Sequence, residues 1–74
     1  MTAEDYFRQG VTLAKQGLWN EALEAYKESL RANPESAETY LNLGFVYYEL
    51  GYDSEAQEAF ACASKIQARP CGRS

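Results

Sequence analysis

The sequence contains no histidine, only two cysteines and two prolines, and seven lysines and arginines against eleven carboxylates. Each shortage removes a class of chemistry. Without histidine the chain lacks both a common zinc ligand and an imidazole base, and Cys62 and Cys71 do not stand at a metal-ligand spacing. No metal, no cofactor and no catalytic site is therefore expected. A net charge of −4 leaves too few cations for a broad basic face, so nucleic acid is not an expected partner. No run of 18 apolar residues and no signal-peptide pattern occurs, which points to a soluble, cytoplasmic chain with no membrane partner. A Cys62–Cys71 disulfide is geometrically conceivable but disfavoured in that compartment.

Apolar residues are well supplied: 46% of the 74 residues are hydrophobic, and 14% are aromatic. That suits one compact domain, although a chain of this size buries only about 60% of the surface it exposes when unfolded. Apolar density peaks between Tyr40 and Ala56, where positions 40, 41, 43, 45 to 48 and 50 are all hydrophobic. Such a run predicts a helix buried on two or three sides. Gly44 in its middle costs about 1 kcal/mol relative to alanine. A close approach by another backbone would explain its presence, because only hydrogen projects there. Gly51, just past the last apolar position, reads as the helix stop.

The crowded stretch is not unique. Displaced by 34 positions, Ala3, Glu4, Tyr6, Gly10, Gly17, Glu21, Ala22, Glu24 and Ala25 meet identical residues at 37, 38, 40, 44, 51, 55, 56, 58 and 59. About two such identities would arise by chance. Phe7/Leu41, Val11/Phe45, Tyr26/Phe60, Ser29/Ala63 and Arg31/Lys65 are conservative pairs. A helical texture repeated at this period marks a repeat architecture.

The second unit carries Tyr40, Leu43-Gly44, Tyr47, Ala56 and Phe60, with Ala68 near its end. The first carries Tyr6, Gly10, Leu13, Ala22, Tyr26 and Pro34, with Gln9 before the glycine. This succession resembles the tetratricopeptide repeat (TPR) family, whose pattern is aromatic, Leu-Gly, Tyr, then Ala with an aromatic four residues later, then Pro. Gln9 and Ala68 depart from it. The resemblance covers residues 3 to 70 and implies an all-α fold. Two antiparallel helix-turn-helix units, residues 3–36 and 37–70, would stack as a short right-handed α-solenoid. One domain then spans residues 1–70, and residues 71–74 form a basic, disordered tail.

Local signals place four helices at about 3–16, 20–32, 36–50 and 54–67. Thr2 with Asp5 resembles a capping box for the first. Leu18 and Trp19 read as a tight turn before an Asn20 cap, and Asn33-Pro34 ends the second helix. Ser36 caps the third, and Ser54 with Gln57 reads as a capping box for the fourth. Gly10 is expected to face Ala22, and Gly44 to face Ala56. Tyr6, Tyr26, Tyr40, Tyr47 and Phe60 are expected as core wedges.

Differences between the repeats assign the outer faces. Thr39, Leu43, Val46 and Leu50 should pack against the first unit, and their counterparts Asp5, Gln9, Thr12 and Gln16 are polar. Leu23 and Leu30 should meet the third helix, whereas their counterparts are Gln57 and Ser64. Wet outer faces are what terminal repeats need, so the two repeats are expected to form a nearly self-contained unit.

The resemblance also implies a function: binding an extended peptide or a helix in a concave groove lined by the first helix of each pair. Helical spacing marks the same stripe, with Glu4, Phe7, Arg8, Val11, Ala14 and Lys15 on one helix and Glu38, Leu41, Asn42, Phe45, Tyr48 and Glu49 on the other. Phe7, Val11, Leu41, Phe45 and Tyr48 would form an apolar patch with no core role, which marks a binding surface. Arg8, Lys15, Glu38 and Glu49 would orient an apolar or amphipathic segment of a partner protein. The carboxylate clamp of some family members is not implied. Asn42 occupies one clamp position, but Phe7 and Val11 stand where lysine and asparagine would be.

Two alternatives remain at the level of sequence. A structural homo-oligomer could form through Ala59, Cys62, Ala63 and Ile66 of helix 4, or by another copy filling the groove with its basic Lys65–Arg73 segment. An enzyme is the weaker alternative: Glu21, Glu24, Glu28, Glu55 and Glu58 read as solvated helix faces, and Cys62 lacks a histidine base.

Overall fold

A computed structural model describes residues 2–68, with side chains through Ile66. Four helices follow one another: α1 (Ala3–Lys15), α2 (Trp19–Ala32), α3 (Ala37–Leu50) and α4 (Asp53–Ala68). α1 packs on α2 and α3 on α4, while α2 joins the two hairpins through α3. The backbone spans 40 × 30 × 17 Å. Its thin dimension is less than two helix diameters, so every helix keeps one side open to solvent. The expected tail at 71–74, Cys71 and Pro70 lie outside the described residues.

The helix ends follow from identifiable local bonds. Thr2 Oγ1 accepts from the Asp5 N–H at 3.2 Å, and the Thr2 N–H donates to the Asp5 carboxylate at 3.1 Å, completing the capping box. Ser36 Oγ accepts from the Thr39 N–H at 3.2 Å and caps α3. Neither second helix starts where its polar residue suggested. α2 begins at Trp19 with Leu18 as an N-cap that supplies no side-chain bond, so Asn20 lies inside the helix. α4 begins at Asp53, so Ser54 is likewise internal.

The reason is the preceding turn. Gly17 and Gly51 take φ of +77° and +86°, the left-handed conformation of a helix stop. The N–H of Leu18 then donates to the Leu13 carbonyl at 3.0 Å, and that of Tyr52 to the Tyr47 carbonyl at 2.8 Å. These six-to-one bonds turn the chain so tightly that the next helix starts two residues after the glycine. At the other junction α2 ends at Ala32, and Asn33 is extended ahead of Pro34. Pro34 itself is exposed, so it works by restricting the backbone and not by packing.

Ala22, Leu23, Tyr26, Leu43 and Val46 form the buried centre, with Leu30, Tyr40, Tyr47 and Leu50 packed around it. Thus Leu43 and Val46 bury against the first hairpin, whereas Asp5, Gln9 and Thr12 on α1 and Gln16 at its C-cap are exposed. Gln57 and Ser64 on α4 are exposed too. Two buried hydroxyls are satisfied: Ser29 Oγ donates to the Ala3 carbonyl at 2.8 Å, and Thr39 pairs with Ser36 at 2.8 Å.

The two helical glycines face aromatic rings. A Cβ placed on Gly10 would lie 2.5 Å from Tyr26 Cε1, and one on Gly44 would lie 2.7 Å from Phe60 Cε1. The nearest atoms therefore belong to the aromatic one helical turn beyond Ala22 or Ala56, not to the alanines. Each hairpin closes by bringing a ring against bare backbone, and the small alanine beside it lets the helices come near enough.

Candidate binding surface

The stripe assigned to a groove runs along α1 and α3, and α2 lies between and behind them. Its residues gather around two clefts. The first, about 260 Å³, is lined by Val11, Ala14, Lys15, Trp19, Tyr26, Asn42, Phe45 and Val46. The second, about 340 Å³, holds Phe7, Arg8 and Glu38 beside Ala3, Glu4, Ser29, Asn33, Ser36 and Thr39. Leu41, Tyr48 and Glu49 line neither. Leu41 is half-buried, and Tyr48 and Glu49 are exposed.

The first cleft owes its shape to the hairpin turn. Because α2 starts at Trp19, the indole sits at the mouth of the α1–α2 pair and is half-buried against the core. Tyr26 forms part of the floor at 2% exposure. Burial pushes its phenol pKa up, while the Asn42 side chain, aimed at the hydroxyl, pulls partly the other way. Asn42 is thus engaged inside the fold. Lys15 is the one charged side chain lining this cleft, and it has no ion-pair partner among the described residues.

The aromatic members of the stripe divide into two kinds. Phe7 and Val11 pack against the core, and the Phe7 ring lies 5.9 Å from that of Tyr26. They do have a core role, contrary to the expectation from spacing, because Gly10 brings Tyr26 beneath them. Phe45 rests edge-on against Phe60 at 5.6 Å yet remains 58% exposed. Tyr48, one turn further along α3, is 64% exposed. These two are the most exposed large hydrophobic side chains among the described residues. The helix expected to be buried on two or three sides therefore keeps a wet aromatic edge.

Electrostatics differ between the clefts. In the second, Arg8 is tied to Glu4 at 3.1 Å, which leaves Glu38 as the lining carboxylate without an ion-pair partner among the described residues. Both residues of the Glu4–Arg8 pair are largely exposed, so its contribution to stability is small.

The expected self-association face on α4 is smaller than the spacing implied. Ala59 and Ala63 are buried at 4% and 1% exposure, since they hold α4 against α3, and only Cys62 and Ile66 stay partly open. Sequence reasoning missed Trp19 as a wall of the first cleft, having placed it in a turn. Its signal was the lone tryptophan two residues after a glycine stop, at a position where the second repeat has Asp53.

No grouping of His, Cys, Asp or Glu suited to a metal ion occurs among the described residues. No described helix is long and apolar enough to cross a membrane. A search of curated proteins found no match. A family model for the TPR repeat matches residues 6–51, and a second, for the tetratricopeptide repeat, matches residues 37–69. Repeat period, hairpin packing and these two matches agree: the chain belongs to the tetratricopeptide repeat family, whose repeats are generally protein–protein interaction modules.

Proposed function

We propose that the chain is a cytoplasmic, non-enzymatic adaptor that binds an apolar or amphipathic segment of a partner protein along α1 and α3. The observation that carries this reading is the exposed pair Phe45 and Tyr48 beside the cleft between Val11 and Phe45. Two adjacent aromatic rings left in water lose free energy that a partner would recover, at about 25 cal/mol per Å² of apolar surface covered. Aromatic side chains at the rim of an apolar cleft are also the usual anchors of a protein interface. Phe7 and Val11 support the floor of the groove, and Lys15, Glu38 and Glu49 give it charge at its ends.

The test separates binding from folding. A Phe45→Ala/Tyr48→Ala double variant removes the exposed rings and leaves the core alone. It should keep the far-ultraviolet circular dichroism of the parent and a cooperative melt, lowered only by the few degrees that losing the Phe45–Phe60 contact entails, and lose partner capture in a pull-down from the native cell. Retention of the same partners by a folded double variant would sink the proposal. Phe7 is a poor choice for this purpose, because its loss would also loosen Tyr26.

A further inference from the structure

We infer that the bound segment is anchored by one aromatic side chain in the first cleft, and that Trp19 is the residue that selects it. The assignment rests on the groove-binding reading and names the chemistry of the occupant. The cleft has a volume of about 260 Å³. An apolar cavity of about 150 Å³ is enough to bind benzene, so there is room for one ring with its linking carbons and not for two. Three of the lining side chains are themselves rings: Trp19, Tyr26 and Phe45. Tyr26 is a fixed floor at 2% exposure, whereas Trp19 is half-buried and Phe45 is 58% exposed, so both walls can be reached from outside. An incoming ring meets these faces and edges in stacked or edge-to-face contacts, which add to what its buried area contributes. An aliphatic side chain of similar size gains the area alone.

The repeat does not supply this wall twice. Asp53 starts α4 at the position where Trp19 starts α2, so a carboxylate replaces the indole. The counterparts of Val11 and Ala14 are Phe45 and Tyr48, whose larger side chains occupy the corresponding space. A segment lying along α1 and α3 therefore meets one ring-walled cleft, and one of its residues is read more stringently than the rest. Phe45 links that cleft to the outer surface, because it lines the cleft and still exposes most of its ring. The residues next to the anchor can thus cover Phe45 and Tyr48 while the anchor itself sits against Trp19.

A random peptide library displayed on phage and selected against the immobilised chain reads the anchor directly. Selected peptides should share one position occupied by Phe, Tyr or Trp, and selection against Trp19→Leu should relax that position towards Leu, Ile and Met. A synthetic peptide of the selected type should bind about three- to tenfold more weakly by fluorescence anisotropy when its anchor is changed to Leu. The same change should cost less than about twofold against Trp19→Leu, the coupling expected of side chains in contact. Phe45→Leu, at an exposed position, supplies a second wall variant that leaves the core alone, and it should also shrink the loss. Circular dichroism of both variants controls for folding. Aliphatic anchors enriched as often as aromatic ones, or a loss of the same size in the parent and both variants, would overturn the aromatic anchor and leave the groove standing. No enrichment at all, or enrichment untouched by the Phe45→Ala/Tyr48→Ala double variant, would overturn the groove and the anchor together.

Discussion

Adding a single methyl group at Gly10 or Gly44 tests how the hairpins are held. Two opposing effects act. Gly→Ala inside a helix gains about 1 kcal/mol from propensity and a less disordered unfolded chain. Overpacking a filled site costs about 1–3 kcal/mol. At Gly10 the new Cβ would lie 2.5 Å from Tyr26 Cε1, 2.6 Å from Cδ1 and 2.9 Å from Cζ. All three are below any ordinary contact, so the ring or the helix must move. Tyr26 is 2% exposed, has Phe7 against its ring and Asn42 at its hydroxyl, and has nowhere to go. The clash dominates there, and Gly10→Ala should lose about 1–2 kcal/mol net. At Gly44 the obstacle is Phe60, which is half-buried and can swing outward with Phe45. Gly44→Ala should therefore fall within about 1 kcal/mol of the parent.

Urea titration followed by circular dichroism measures both. For a domain of this size 1 kcal/mol shifts the melting temperature by about 4–8 °C, so thermal scans resolve the difference as well. Tyr26→Leu combined with Gly10→Ala should recover part of the loss, since a ring edge no longer blocks the methyl. A Gly10→Ala variant as stable as the parent would refute the ring-on-glycine account of closure.

Other consequences follow. Thr2→Ala should lower stability by about 1 kcal/mol in urea titration through loss of the capping box. The same box holds the Asp5 carboxyl below its ordinary range, first through the Thr2 backbone N–H and then through its hydroxyl. A depressed carboxyl means the capping contribution is complete above about pH 4 and lost as pH falls through the lowered value. An acid titration of α1 helicity should show this step, and Asp5→Asn should abolish it. Ser29→Ala should cost about 1 kcal/mol, because the bond to the Ala3 carbonyl is lost while Ala63 proves the methyl fits the repeat. Phe7→Ala should destabilise by about 2 kcal/mol, less than a full aromatic deletion because the ring is half-buried, and Phe45→Ala by less than about 1 kcal/mol; denaturant midpoints distinguish them.

The helical hairpins and their order were legible in the 34-residue period, because packing between identical positions imposes it on the sequence. The buried Leu43 and Val46, opposite the exposed Gln9 and Thr12, were legible for the same reason. The starts of α2 and α4 were not. A polar residue such as Asn20 or Ser54 advertises a cap, but the left-handed glycines set the turn, and the turn geometry overrides the cap preference. The partner of each helical glycine was also hidden. Spacing names a face but not whether alanine or the ring one turn later reaches it. The same ambiguity made Phe7 look like Phe45, although one sits over a buried tyrosine and the other over a half-buried phenylalanine.

The central claim is that partners engage the α1–α3 side and not the α2–α4 side. Chemical-shift mapping on the isotope-labelled chain, titrated with a peptide obtained by library selection, examines it residue by residue. The account predicts shifts concentrated at Val11, Lys15, Asn42, Phe45 and Tyr48, with Glu21, Glu24, Gln57 and Glu58 on α2 and α4 unmoved. Shifts centred on those glutamates, with Phe45 and Tyr48 silent, would contradict it.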